Sequence, residues 1–210
     1  MDRGLLSEQA LGLIRRAIIT GELPPGEAIK DIDLANRLGL SRTPVREALA
    51  RLTDEGLIET KPHSYTRVTP LNAQAVRDAL EVVQTMHALA TRLAVPKLIA
   101  VHLDAMRAAN LRFTAAVESG SVEDAMQYDD AFHDVLVQAC GNHAVAATIY
   151  RYTPLLHRAE RLQFGSPLGR DSASMHERII AACEAGYGDL AAALAEENWA
   201  SLSALMDKAE

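Results

Sequence analysis

The chain has 210 residues, of which 49% are hydrophobic and only 4% aromatic, with a formal charge of −7 and two cysteines. That much Leu, Ile, Val and Ala can bury a core that repays its ordering entropy, which excludes a collagenous or mainly disordered chain, and the length suits one or two domains. The acid is unevenly spread: residues 1–70 hold ten Lys and Arg against ten Asp and Glu, while residues 71–210 hold eleven against eighteen, so an acidic total does not exclude a first part that binds nucleic acid.

Residues 1–10 mix Asp2, Arg3 and Glu8 with apolar positions, unlike the basic start and apolar run of a secretion signal. No stretch reaches the roughly 20 apolar residues of a membrane helix. Cys140 and Cys183 lie far apart with no CxxC spacing, which fits reduced thiols. A soluble cytoplasmic protein with no membrane partner is expected.

Helical apolar spacing at Leu6, Ala10, Leu13, Ile14, Ala17 and Ile18 predicts a first helix, with Ser7 as a cap near its start and a break at Gly21 to Gly26. Leu34, Ala35 and Leu38 form one face of a second helix that stops at Gly39. A third begins after Ser41, turns Val45, Ala48, Leu49 and Leu52 inward, and ends at Gly56. Between Leu57 and Val68, β-branched and aromatic residues around a Pro62-His63-Ser64 break predict a two-stranded hairpin. From Asn72 onward only Ala- and Leu-rich segments follow, punctuated at Pro96, Gly120, Gly141, Gly165 to Gly169, Gly186 and Gly188. They predict an antiparallel bundle of six or seven helices, with Ser121 and Asp124 as one cap, Asp189 near another start, and Pro154 kinking or dividing the helix after Asn142. The fold class expected is mainly α, an N-terminal winged helix-turn-helix with a small β-hairpin wing over 1–70, then an all-α helical bundle over 71–210.

Ala35 followed four residues later by Gly39 is the spacing of a tight helix-turn-helix, because the small side chain admits the next helix and glycine tolerates a left-handed turn. Ser41 can cap that helix, and Pro44 is harmless in its first turn. With the apolar positions turned inward, Arg42, Thr43 and Arg46 must face outward. Arg42 and Arg46 are four apart on one face, where two guanidiniums can fork onto guanine edges or phosphates in a major groove. The plainer reading of these arginines alone is a solvated helix face. The hairpin adds Lys61, His63 and Arg67 as a wing able to touch the adjacent backbone or minor groove.

Gly21-Glu22-Leu23-Pro24-Pro25-Gly26, Leu34-Ala35, the run Leu38-Gly39-Leu40-Ser41-Arg42-Thr43-Pro44-Val45-Arg46-Glu47-Ala48-Leu49, and Glu55-Gly56-Leu57-Ile58 resemble the winged-helix domain of the GntR family of bacterial transcription regulators. The resemblance covers residues 5 to about 70 and implies that Ser41, Arg42, Thr43 and Arg46 contact DNA. Ile32 stands where many FadR-type relatives carry a basic residue, and Ser64-Tyr65 where they carry a wing-tip glycine.

In the bundle, Asp129 and His133 lie four apart on one helical face, so a carboxylate and an imidazole can converge on a cation; the same spacing also suits a hydrogen-bonded pair with no metal. With His176 heading an apolar pattern of Ile179, Ile180, Ala181, Ala182 and Leu190, and Asn198 on the last helix, the segment resembles the FCD ligand-binding domain of FadR-type regulators over about 73–208. That resemblance implies a divalent metal (zinc, nickel or manganese) at Asp129, His133, His176 and Asn198, weakened because Asn198 replaces a usual histidine by a poorer amide ligand. It also implies an organic-acid or sugar-acid effector. Val83 and His87 stand where relatives place an arginine and a glutamate, so His87 is either an effector donor or a buried or interface histidine.

The function expected is a bacterial transcription regulator, a repressor rather than an enzyme, acting as a homodimer on a near-palindromic operator and modulated by a small effector. The alternative is an all-α metal-dependent hydrolase with a fused DNA-binding head, suggested by His133-Asp134 and distinguishable by turnover. Gly186-x-Gly188-x-x-Ala191 imitates a dinucleotide fingerprint, but it joins two predicted helices with no strand before it.

Overall fold

The computed structural model describes residues 3–62, 64–163 and 169–202. They form two compact units, one of residues 1–72 with Arg151–Ala159, the other of Ala73–Tyr150 with the residues from Glu160 onward.

The first unit is built on α1 (Arg3–Thr20), α2 (Asp31–Leu38) and α3 (Arg42–Asp54), followed by β1 (Ile58–Lys61) and β2 (Tyr65–Val68). Ala10, Leu11, Ile14 and Ile18 of α1 close over Leu34, Val45, Leu49, Leu52, Leu57, Ile58 and Val68 in one core. Fully burying one such Leu or Ile contributes about 1.5–3 kcal/mol before ordering entropy is charged. Two expectations for α1 are corrected. Leu11 is buried and Leu13 is 43% exposed, because the face that meets α3 is set by Ser7, Ala10, Leu11, Ile14 and Ile18. Ser7 is buried inside a helix that starts at Arg3, so it caps nothing.

Arg15 forks onto Glu55, through Nε at 2.9 Å and Nη2 at 2.5 Å, and ties α1 to the end of α3. Between α2 and α3 the chain turns at Gly39, whose φ of 65° lies in the left-handed region that a Cβ disfavours, and Leu40 N–H donates to the Ala35 carbonyl at 3.0 Å. Ser41 occupies the N-cap position of α3 but its side chain makes no capping hydrogen bond, contrary to the capping role expected of it. The hairpin is antiparallel, with Ile58 opposite Val68 and Lys61 opposite Tyr65. Arg158 donates to the Thr69 carbonyl through Nη2 at 2.6 Å, and its burial pulls the guanidinium pKa down.

Six α-helices make up the rest among the described residues: α4 (Ala73–Ala94), α5 (Ala100–Ser119), α6 (Val122–Cys140), α7 (His143–Gln163), α8 (Gly169–Glu184) and α9 (Gly188–Ala200). A single 3-10 turn, Val95–Lys97, follows α4. Pro154 lies inside α7 without dividing it: the ladder loses one donor, yet Leu155 and Leu156, which follow it directly, are buried. Two residues, Gly120 and Ser121, join α5 to α6, and since these helices pack on each other they must run antiparallel. Ser121 donates to Asp124 at 2.8 Å, and Glu123 and Asp124 place negative charge at the positive end of α6.

α4 turns Val76, Ala79, Leu80, Val83, His87, Ala90, Thr91 and Ala94 inward at helical spacing. α9 answers with Ala191, Ala192, Ala195, Asn198 and Trp199, and the small alanines let the two helices approach closely. Ala181 and Leu190, expected on the apolar face of this region, are exposed. Phe132, Leu136, Ile149, Ile179 and Leu194 fill the centre. Cys140 and Cys183 are free and buried, and burial pushes the Cys183 thiol up to about 11. No described helix is long and apolar enough to cross a membrane.

Candidate DNA-reading face and metal cluster

The inward commitment of Val45, Ala48, Leu49 and Leu52 leaves Ser41, Arg42, Thr43 and Arg46 on the outer face of α3, all four exposed. Arg42 and Arg46 both reach Asp31, the first residue of α2. Asp31 is a residue that the sequence reading missed: an acid in a first helical turn signals only a favourable dipole contact. On the wing, Lys61 is exposed at the end of β1. Arg67 is engaged within the hairpin, bound by the Glu59 carboxylate across the strands and lying 4.5 Å over the Tyr65 ring. His63 lies outside the described residues.

The second cluster draws on three helices. Asp129 and His133 come from successive turns of α6, His176 from α8, and Asn198 from α9. One donor atom from each of Asp129, His133 and His176 lies within 4.8 Å of the others, a spacing that suits a single cation. Asn198 adds its amide 3.2 Å from His133 Nε2. Both imidazoles are buried, at 3% and 0% exposure, while Asp129 keeps 26% of its side chain exposed.

Protonation follows from the partners. Asn110, on α5, donates through Nδ2 to the Ala173 carbonyl at 3.2 Å, which turns its Oδ1 toward His176 Nδ1 at 3.0 Å. An oxygen there accepts, so Nδ1 carries the proton of the neutral ring and Nε2 keeps a lone pair. That Nε2 is buried with no hydrogen-bond partner and faces Asp129 Oδ1 at 3.4 Å, one acceptor against another. Burial holds the His176 pKa well below its ordinary value and pushes His133 down to about 4, so at neutral pH these contacts with Asp129 are not ion pairs. Neutral imidazole nitrogens beside a carboxylate are the donor set a divalent cation requires, and the residues fit one.

Packing fixes the rings. His176 stacks on Phe132 at 3.8 Å between centroids, and His133 stands edge-on to it at 5.1 Å. His87 is stacked at 4.6 Å on Trp199 and lies 5.2 Å from His133, and burial lowers its pKa as well. Trp199 Nε1 is a further buried donor without a partner. Asn110 was legible in part, as one amide within the apolar stripe of Met106, Ala109 and Phe113, where a polar residue must find a partner.

Metal-free protein is expected to lose stability as pH falls below about 6.5, because an unfolded histidine binds a proton that the buried His133 refuses until about pH 4, and burial holds His87 and His176 down in the same direction. The folded pKa is the lower, so stability is present at neutral pH and lost on acidification, by roughly 1–2 kcal/mol from His133 alone between pH 6.5 and 5. Urea midpoints of chelator-treated protein at the two pH values measure it, and equal midpoints would show that the histidines charge in place.

Residues 6–68 match the bacterial regulatory proteins of the gntR family, and residues 78–200 match the FCD domain. An uncharacterized HTH-type transcriptional regulator of Agrobacterium vitis, from the TAR-I ttuE-ttuC' intergenic region, is 35% identical over 134 residues, 60% of this chain and 75% of that protein. A probable D-xylose utilization operon transcriptional repressor of Paenarthrobacter nicotinovorans is 29% identical over 196 residues, 91% of this chain and 84% of that one. The fold is shared with E. coli McbR/YncC at a TM-score of 0.85 and 19% identity, over 97% and 98% of the two chains. The chain belongs to the GntR family of bacterial transcription regulators, in the FadR-like arrangement of a winged helix followed by an FCD domain. It is a DNA-binding regulator, and the hydrolase alternative falls away.

Proposed function

We propose that the protein is a repressor that grips a near-palindromic operator as a two-fold dimer and releases it when a small organic or sugar acid binds in the FCD domain. Ser41, Arg42, Thr43 and Arg46 enter the major groove, and Lys61, His63 and Arg67 serve the flanking backbone. Asp129, His133 and His176 hold a divalent cation, with the Asn198 amide as a weak fourth donor. The lone pair of His176 Nε2, buried against a carboxylate oxygen, is the observation that carries the metal assignment.

When bound, the cation supplies the positive charge that an acid's oxygens seek. Val83, buried on α4, offers none, and the neighbouring His87 is held neutral by burial. Asn110 keeps His176 in the ligating tautomer, and the Phe132 and Trp199 rings exclude water. The effector acts only through its differing affinity for the DNA-competent and incompetent arrangements, and a coupling of about 1–3 kcal/mol changes operator affinity some 5- to 150-fold.

Selection of binding sites from random duplex DNA, followed by binding assays with zinc, nickel or manganese and a panel of such acids, tests the proposal. A two-fold symmetric site released by one metal and acid together is expected. No enriched sequence would overturn the operator reading, and an enriched site indifferent to every addition would overturn the effector reading.

A further inference from the structure

Asp31 opens α2 with its carboxylate turned to the first two turns of α3. Arg42 donates to it through Nη2 at 3.1 Å to Oδ1 and 3.0 Å to Oδ2, and through Nε at 3.3 Å to Oδ2. Arg46 Nε stands 3.7 Å from the same Oδ2. One carboxylate, 23% exposed, thus serves two guanidiniums that are 58% and 71% exposed. Of its chain neighbours, Ile32 is exposed and uncharged, and Lys30 is an exposed cation, while the ion pairs of Asp31 run to Arg42 and Arg46. Lys30, Asp31, Ile32, Arg46, Thr53 and Thr60 line one open groove of this unit.

An exposed ion pair contributes little to stability, and an acid on a surface that meets phosphates costs affinity for any DNA. The arrangement has a use if both effects act on selectivity. A free arginine samples many rotamers, whereas a shared carboxylate holds two guanidinium forks in a common orientation before DNA arrives. Its charge penalises complexes in which the arginines meet phosphates alone, and in which nothing repays the loss of the pair. We propose that Asp31 is a specificity-determining positioning residue, which orients Arg42 and Arg46 for base edges and suppresses sequence-independent binding. The inference rests on the reading that places these arginines on DNA.

The test compares full-length protein with the Asp31→Asn, Asp31→Glu and Arg46→Ala variants on the selected operator and on a scrambled duplex, across a range of salt concentrations. Asp31→Asn is expected to tighten scrambled binding severalfold and to lower the operator-to-scrambled ratio about tenfold, with the melting temperature little changed. Asp31→Glu, which restores the charge, should recover most of that ratio. A role limited to helix stability would lower the melting temperature and leave the ratio alone, and that result overturns the inference. So does equal tightening on both duplexes, which would make Asp31 a repelling charge and nothing more. If Arg46→Ala weakens operator binding while Asp31→Asn leaves the ratio unchanged, only the positioning role fails; if Arg46→Ala has no effect, the placement of α3 on DNA fails first.

Discussion

Replacing Arg46 by Ala is expected to weaken operator binding about 10- to 100-fold at fixed salt, since a guanidinium forked on a base pair carries about 1–3 kcal/mol of discrimination. The side chain is 71% exposed and reaches only the distant edge of the Asp31 carboxylate, at 3.7 Å, so the fold should lose no more than about 0.5 kcal/mol. Competition with single-base variants of the selected site distinguishes the two kinds of contact. A base-edge contact shows as relaxed preference at one position in each half-site. A phosphate contact shows as a uniform loss with a salt slope smaller by about one. Binding unchanged on every duplex would remove Arg46 from the reading face.

Asp129→Asn is expected to strip the metal from protein that otherwise retains it. The substitution keeps the shape of the side chain on a 26% exposed residue, so the bundle should survive it. It takes away the only anionic donor of the three that converge. The affinity loss should exceed the roughly 10- to 100-fold that changes to outer-shell partners cost, since this residue ligates directly. Elemental analysis after dialysis should find near one equivalent in the parent and near none in the variant. Asn198→His runs the other way: it replaces an amide 3.2 Å from His133 Nε2 by a third imidazole and should tighten zinc and nickel against a competing chelator. Equal metal content in parent and Asp129→Asn would dismiss the site.

The helix-turn-helix was readable because each of its signals is local. Leu34, Ala35 and Gly39 lie within six residues, and Gly39 takes the left-handed turn that its position required. The outward placement of Arg42 and Arg46 followed from the inward placement of Val45, Leu49 and Leu52 on the same short helix. α1 is less legible. Leu11 and Leu13 both lie near a helical stripe through Ala10, Ile14 and Ile18, and which of them is buried depends on the angle at which α3 meets it. Ser7 and Pro154 carry local signals for a cap and a break, and tertiary burial overrode both.

The sequence by itself determined pairs within one helix, Asp129 with His133 and Arg42 with Arg46, because a period of 3.6 residues per turn places positions four apart on one face. Only the tertiary structure decided what those pairs meet. Asp31 reaches α3 across a turn, Asn110 sets the tautomer of His176 across 66 residues, and Asn198 faces His133 across 65. The reason is physical: helical periodicity says which side of a helix is buried, while the partner opposite each buried polar atom is chosen by the packing of α5, α6, α8 and α9 around one core.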